Sequence, residues 1–222
     1  QRWQDFLPPE MLKNVHEFIR QQQDHRQPYY AAAVMGKYST RDNVPKFVLK
    51  YFYDANGEPL ASGTDGVQRI YDWGQTEETH TYARNINDLP VAKALLDCIN
   101  KQTGQQHNNL YVIYYFDGDH YINQHHDKDK TFVDGTPFFL LNLLLEGNPR
   151  VFQFSKKSGT TLKAIALKDN EALEVSAAAN KKYKHGLKVN KSWKGFRVSI
   201  VARTINESLL AKPAAEERKV EY

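Results

Sequence analysis

Hydrophobic positions recur at helical spacing in two stretches of the chain and at strand spacing in most of the remainder. The first helix is predicted from Pro8 to about Gln23, because apolar residues return every three or four positions. The second is predicted from Pro90 to Gly104, with Asp88 as its candidate cap. Each helix has one apolar face, which favours packing on a sheet.

Between about residues 44 and 83 the pattern changes to extended segments that are dense in aromatic residues. The pair Asn56-Gly57 is a strong signal for a hairpin turn. One interpretation is a β-extension whose aromatic residues fill a core of their own. The alternative is a substrate lid in which Trp73 or Tyr82 stacks on a flat ring.

Eight strand signals follow the second helix, separated by short breaks that hold turn formers such as Asp117-Gly118 and Gly159. No helix is predicted between them, which favours a β-sandwich or closed jelly roll over a parallel βαβ sheet. The expected fold class is mainly β with flanking helices (α+β), built around a jelly-roll core. The predicted strands cover about residues 110–116, 120–127, 137–145, 150–155, 162–168, 171–176, 182–188 and 195–203.

The length of the chain limits the number of domains that it can form. A chain of 222 residues with 13 Tyr and 11 Phe can bury one substantial core, with room for an appendage. We expect the helices and the aromatic β-extension in residues 1–104 and the jelly-roll core in residues 105–206. Residues 207–222 are charged and polar, as is typical of a tail.

Net charge and cysteine content limit the classes of binding partner and the cellular compartments that are expected. The formal net charge of +4 permits a polyanionic partner such as nucleic acid, although so small an excess usually serves solubility. Cys98 is the single cysteine, so no disulfide forms within the chain and a reducing compartment is favoured. No long apolar span or signal peptide is visible, so we expect a soluble intracellular protein of the cytoplasm or nucleus, without a membrane partner. The pattern leaves the oligomeric state open.

Candidate metal ligands are concentrated in the segment 119–130. Successive side chains of a strand point to opposite faces, so His125 and Asp127 would share one face while His126 points away. A third donor is available at His185, 58 positions after Asp127, which is far enough for several strands to fold back. Two imidazoles and one carboxylate form the facial triad of non-haem Fe(II) oxygenases. The alternatives are a solvated surface loop, or His126 in place of His125 if the strand is bulged.

The last predicted strand carries two arginines on one face. Alternation places Arg197, Ser199, Val201 and Arg203 on the same side of the strand. A guanidinium that faces the core needs an anionic partner, because burying it unpaired costs several kcal/mol. A dicarboxylate would supply one, since the planar fork of Arg197 matches a carboxylate. For Arg203 the alternative is a structural salt bridge.

These residues resemble the Fe(II)- and 2-oxoglutarate-dependent dioxygenases, and among them the AlkB-like nucleic-acid demethylases, over roughly residues 109–204. The segment 115–118 resembles the family's Tyr-x-x-Gly, and the segment 125–129 its His-x-Asp-x-Asp. His185-Gly186 resembles the distal histidine, and the segment 197–203 resembles the family's Arg-x-Asn-x-Thr-x-Arg strand. The chain departs from the AlkB pattern at three places: Ser199 and Val201 replace Asn and Thr, Ile113 stands where Asn is frequent, and one extra residue lies between Gly118 and His125.

The resemblance implies a double-stranded β-helix core that binds Fe(II) and 2-oxoglutarate, with O2 as co-substrate. In this family the 2-oxoglutarate is oxidised to succinate and CO2 while a C–H bond of the substrate is hydroxylated. An N-methyl group hydroxylated in this way loses formaldehyde, which amounts to demethylation. The residues implied are His125, Asp127 and His185 for the metal, and Arg197, Arg203 and Tyr115 for 2-oxoglutarate.

The substrate implied by the AlkB resemblance is alkylated DNA or RNA. Asp129 would face the substrate and accept a hydrogen bond from an exocyclic amine, and Trp73 and Tyr82 are the candidate stacking residues. A base in a duplex would have to be flipped out to reach such a pocket.

Two other functions remain open from the residues. One is 2-oxoglutarate-dependent hydroxylation of a protein side chain or a small molecule, since residues 115–121 resemble the Tyr-x-x-Gly-x-x-Tyr strand of prolyl hydroxylases. Those enzymes typically carry Lys where this chain has Arg197. The other is a non-catalytic jelly-roll binding module that holds a structural divalent ion.

Overall fold

In a computed structural model of the chain, two β-sheets stack face to face and two long helices cover the outer face of the larger sheet. The structure describes residues 1–23, 27–29, 46–52, 68–70, 81–85, 89–127 and 132–204, and only the backbone of the four short ranges between 27 and 85. Among the described residues, no helix has both the length and the apolar character needed to span a membrane.

The two predicted helices are present with nearly the predicted bounds. Helix α1 spans Pro9–Gln22 and helix α2 spans Pro90–Thr103. The N-cap position of α2 belongs to Leu89 and not to Asp88, which lies outside the described residues. Gly104 ends α2 at φ +70°, a left-handed conformation that glycine adopts without steric cost.

All eight strands predicted after the second helix are found, and five more precede them among the described residues. The early strands are β1 (Arg2–Trp3), β2 (Gln27–Tyr29), β3 (Lys46–Phe52), β4 (Gln68–Ile70) and β5 (Thr81–Asn85). The later strands are β6 (Asn109–Asp117), β7 (Ile122–His125), β8 (Phe138–Gly147), β9 (Arg150–Ser155), β10 (Thr161–Leu167), β11 (Glu171–Val175), β12 (Lys184–Leu187) and β13 (Lys194–Arg203).

The later strands form two layers. The larger sheet has the order β1-β11-β8-β13-β6-β3-β5-β4, with β2 paired to β3, and the smaller sheet has the order β10-β9-β12-β7. The pairs are antiparallel except for β3 with β5. Side chains from β6, β8, β11 and β13 meet those from β9, β10 and β12 in one apolar cluster, so two antiparallel layers enclose an inner space.

One short helix was not predicted. Helix α3 (Ala177–Lys182) interrupts the run of strands between β11 and β12. Ser176 precedes it, and its hydroxyl accepts a hydrogen bond from the Ala179 N–H at 3.2 Å. The expectation of strands without an intervening helix is therefore wrong here, and the reason is local: a serine cap followed by alanines favours a helical turn.

Strand β13 is buried on both of its faces. Val198, Ile200 and Ala202 pack with α1 and α2 on one side. Arg197 and Val201 are buried on the other side, toward the smaller sheet. The predicted alternation of this strand is confirmed, and it directs a guanidinium into the space between the sheets.

Candidate metal centre

Three potential metal ligands meet where the smaller sheet's strands β7 and β12 pair. His125 and His185 lie directly opposite each other in the antiparallel register, with ring centroids 4.5 Å apart. Oδ1 of Asp127 lies 3.4 Å from Nε2 of His125 and 3.9 Å from Nε2 of His185. One donor atom from each residue lies within 4.8 Å of the other two. Donors bound at about 2.1 Å to one ion stand about 3 to 4 Å apart, so the three groups fit a single divalent cation.

The surroundings of the two imidazoles favour metal binding in different ways. Nδ1 of His125 donates to the carbonyl of Asn123 at 2.7 Å, which leaves the Nε2 lone pair for a cation. The His185 ring is buried, with the rings of Phe138 and Phe152 at 5.0 and 5.8 Å. Burial first, and then His125, lower the pKa of His185 to about 3. A metal ligand must be deprotonated, so the site favours the state that binds.

Arg203 holds the carboxylate of the triad. Its Nε and Nη2 donate to Oδ2 of Asp127 at 3.0 and 2.7 Å, while Oδ1 faces the histidines. Burial alone would raise the pKa of Asp127, but Arg203 and the two histidines together hold it well below its usual range. The guanidinium is also covered by the ring of Tyr111, 5.0 Å from its Cζ. Arg203 therefore forms a salt bridge with Asp127, which is the arrangement that was the alternative to a co-substrate contact.

Arg197 is the unusual group of this site. It is 1% exposed, and all three of its guanidinium nitrogens are buried without a hydrogen-bond partner among the described residues. The ring of Tyr115 lies 4.9 Å from its Cζ. Burial lowers the pKa of Arg197 to about 10, with Tyr115 opposing the shift and Arg150 adding to it, so the group stays charged at neutral pH. A buried and unpartnered cation is the signature of a site for an anion.

One cavity is lined both by Arg197 and by the two histidines of the triad. It lies between the two sheets and encloses about 390 Å³, including its open mouth. His125, His185 and Arg197 line it together with apolar side chains such as Ile113 and Phe152. The two histidines and the buried guanidinium therefore face the same solvent-open space, which is lined mainly by apolar side chains.

The remaining predicted residues fall into two groups. Trp73 and Asp129 lie outside the described residues, and Tyr82 lies on β5, whose side chains are not described. His126 turns away from the triad, since its Nδ1 donates to the carbonyl of Asn180 at 2.6 Å. This agrees with the prediction that His125 and His126 point to opposite faces.

Two residues near the site escaped the sequence analysis. Arg150 is 3% exposed and donates to the carbonyls of Asp117, His120 and Lys188 at 3.3, 2.6 and 2.5 Å. Two separate segments supply these carbonyls, the end of β6 with the turn that follows it and the residue after β12, so no local pattern could have indicated the role. Asn180 contacts Asp127 from α3, and an asparagine beside two lysines carries no sequence signal of its own.

Comparisons with known proteins identify the fold class of the chain. No family model and no curated protein matches the chain. Among solved structures, an oxidoreductase of the 2OG-Fe(II) oxygenase family from Burkholderia pseudomallei matches with a TM-score of 0.53 at 10% identity, over 89% of this chain and 80% of that one. OsALKBH1, an AlkB homologue, matches with a TM-score of 0.54 at 10% identity, over 92% of this chain and 97% of that one. A prolyl-4-hydroxylase from Pseudomonas putida matches with a TM-score of 0.49 at 11% identity, over 93% and 92%.

Identities this low show the fold alone. The chain has the jelly-roll fold of the 2OG-Fe(II) oxygenases, which confirms the expected fold class of mainly antiparallel β-structure with flanking helices. The three potential metal ligands and the buried arginine are observed in this chain itself and do not depend on these similarities.

Proposed function

We propose that the chain is an Fe(II)- and 2-oxoglutarate-dependent dioxygenase. The observation that carries the proposal is the cavity shared by two histidines of a His-Asp-His triad and by a buried guanidinium that has no hydrogen-bond partner among the described residues. His125, Asp127 and His185 would hold the iron, and their number leaves further coordination positions open. The bound iron would supply the redox chemistry by which O2 oxidises 2-oxoglutarate to succinate and CO2 and hydroxylates a substrate C–H bond, with one oxygen atom going to succinate and the other to the hydroxylated product.

The residues of the chain have separate tasks in this proposal. Arg197 binds the far carboxylate of 2-oxoglutarate, and Tyr115, which lies against the guanidinium, supports that contact. Arg203 keeps one oxygen of Asp127 occupied, so that the other oxygen faces the histidines. Apolar side chains line most of the cavity, and the low dielectric constant that they create would strengthen both electrostatic contacts.

We further propose that the substrate is alkylated DNA or RNA, and that the reaction is oxidative demethylation. The support is the AlkB-like spacing of the two arginines on β13 and the fold shared with OsALKBH1. Asp129, Trp73 and Tyr82 are the proposed substrate contacts. A nucleic-acid substrate and a single cysteine both fit an intracellular protein.

The first experiment tests the metal and the co-substrate without assuming a substrate. Fe(II) is added to the anaerobic protein, and 2-oxoglutarate is then titrated while the visible spectrum is recorded. A charge-transfer band is expected for the wild type, and Arg197→Met should need far more 2-oxoglutarate to develop it. Arg20→Met is the matched control, because Arg20 is exposed and its ion pair is with Glu146 on the helix side of the larger sheet. Absence of the band and of metal binding in the wild type would refute the oxygenase proposal.

The second experiment tests the substrate class. N-methylated DNA and RNA oligonucleotides are incubated with the protein, Fe(II), ascorbate and 2-oxoglutarate, with unmethylated oligonucleotides as controls. Formaldehyde release together with loss of the methyl group is expected. Succinate production that responds to peptides or metabolites but not to methylated oligonucleotides would overturn the nucleic-acid substrate and leave the oxygenase intact.

A further inference from the structure

Asn180 on helix α3 is bonded to the segment that carries the metal ligands at three points. Its side chain donates through Nδ2 to the carbonyl of Asp127 at 2.8 Å and accepts the Asp127 N–H through Oδ1 at 3.0 Å. Its backbone carbonyl accepts a hydrogen bond from Nδ1 of His126 at 2.6 Å. Asn180 is 5% exposed, so these bonds are shielded from water.

The position of Asp127 explains why such bonds matter. Strand β7 ends at His125, which pairs with His185, so Asp127 lies beyond the last residue of the ladder. Without the contacts of Asn180, the backbone of Asp127 would lack hydrogen bonds of the kind that join His125 to the neighbouring strand. The side chain of Asn180 offers one donor and one acceptor, the same two groups that a neighbouring strand offers. We call the two hydrogen bonds between the Asn180 side chain and the Asp127 backbone the Asn180 clamp. The clamp takes the place of the next pair of inter-strand hydrogen bonds after His125.

The clamp also connects the segment that carries Asp127 with the segment that carries His185. Asn180 precedes His185 by five residues, so the segment that supplies the distal histidine also holds the carboxylate ligand. Arg203 contacts only the carboxylate of Asp127 and therefore restricts the side chain, whereas the clamp restricts the backbone. We propose that Asn180 is a positioning residue, which fixes Asp127 relative to His185 and so sets the affinity of the metal site. This inference rests on the metal centre of the proposed function.

A purely structural role is the competing explanation, and the chain contains a control for it. Asn170 makes the same two bonds with a different backbone: its Nδ2 donates to the Leu7 carbonyl at 2.9 Å and its Oδ1 accepts the Leu7 N–H at 2.8 Å. Asn170 is equally buried, at 4% exposure, and it fastens the N-terminal segment beside β11. Loss of either amide should lower stability, but only loss of Asn180 should weaken metal binding.

The test compares Asn180→Ala with Asn170→Gly. Alanine suits the helical position of Asn180, and glycine suits Asn170, whose φ is +57°, so neither change adds backbone strain. Binding of Mn(II), which serves as a redox-stable probe, is measured by isothermal titration calorimetry, and the melting temperature is measured by circular dichroism. We expect Asn180→Ala to raise the Kd for Mn(II) by about 10- to 100-fold, the usual loss for a residue that supports a metal ligand. Asn170→Gly should leave Kd within about twofold of wild type while lowering the melting temperature.

The outcomes separate this inference from the proposed function. An unchanged Kd in Asn180→Ala, or equal weakening in both variants, overturns the positioning role while the metal centre stands. A wild-type protein that binds no Mn(II) overturns the metal centre and the inference with it. If Asn180→Ala does not fold, amide hydrogen exchange of the wild type decides: the Asp127 N–H should exchange slowly, and exchange at the rate of an unstructured peptide would refute the clamp.

Discussion

Replacing Arg197 with methionine should make the ligand-free protein more stable. The guanidinium is 1% exposed, and its nitrogens have no hydrogen-bond partner within the described ranges. Replacement of such a charge by an apolar side chain of similar length is expected to raise the free energy of unfolding by about 1 to 3 kcal/mol. Arg150→Met is the matched control. Its guanidinium is nearly as buried but donates to three carbonyls, so the same change should lower stability by about 2 to 4 kcal/mol.

The same substitution should remove the affinity for 2-oxoglutarate. A hydrogen bond to a charged group contributes about 1.5 to 3 kcal/mol, so a lost two-point contact costs about 3 to 6 kcal/mol. At about 1.4 kcal/mol for each tenfold change, Kd rises by about 100-fold or more. Arg197→Lys keeps the charge but not the planar fork, and an intermediate loss is expected.

Two measurements check these expectations together. Urea unfolding without metal or 2-oxoglutarate gives the stability, and calorimetric titration of the Mn(II)-loaded protein with 2-oxoglutarate gives the affinity. A less stable Arg197→Met protein would mean that the guanidinium is already paired before any ligand binds. An unchanged affinity for 2-oxoglutarate would refute the assignment of Arg197 as the anion site.

Three further predictions address the triad and its surroundings. Arg203→Met should raise the Kd for Mn(II) by about 10- to 100-fold in calorimetric titration, because Asp127 loses the partner of its Oδ2; equal affinity would contradict a positioning role for Arg203. Gly186→Ala should also weaken Mn(II) binding in the same titration, because a Cβ would lie 2.7 Å from the Ile122 carbonyl oxygen and push β12 from β7; a crystal structure with unchanged strand spacing would contradict it. Burial, and to a lesser extent Arg203, lower the pKa of His107 to about 4 in the folded chain. As the pH falls, His107 therefore becomes protonated near pH 6.5 in the unfolded chain but only near pH 4 in the folded chain. Stability from His107 is therefore complete above pH 6.5 and is lost as pH falls toward 4, by up to about 3 kcal/mol, and urea unfolding of His107→Gln should show a shallower decline between pH 7 and 5 than wild type.

The strands and the face to which each candidate metal ligand points were accessible from sequence because both follow from alternation. A strand sends alternate side chains to opposite faces, and this rule correctly separated His125 from His126 and the arginines of β13 from its aliphatic residues. Alternation could not predict that His125 lies opposite His185, because the register of a strand pair depends on which strands become neighbours.

The supporting contacts could not be read from sequence because they join distant segments through single side chains. Arg150 binds backbone carbonyls, and every residue has a carbonyl, so no sequence pattern marks its partners. The same holds for Asn180, whose partners are the N–H and the carbonyl of Asp127. Helix α3, which carries Asn180, spans only Ala177–Lys182 and is too short for hydrophobic periodicity to reveal.

The two-faced burial of β13 has a consequence for how the chain reaches its native state. A shift of one residue in this strand would turn Arg197 toward the layer packed by α1 and α2, and would turn Val198 and Ile200 toward the metal ligands. Burying a cation in that apolar layer, away from the solvent-open cavity, should make such a shifted register less stable than the native one. The guanidinium of Arg197 should therefore help to select the native register of β13, because only this register places it beside Tyr115 and the solvent-open cavity.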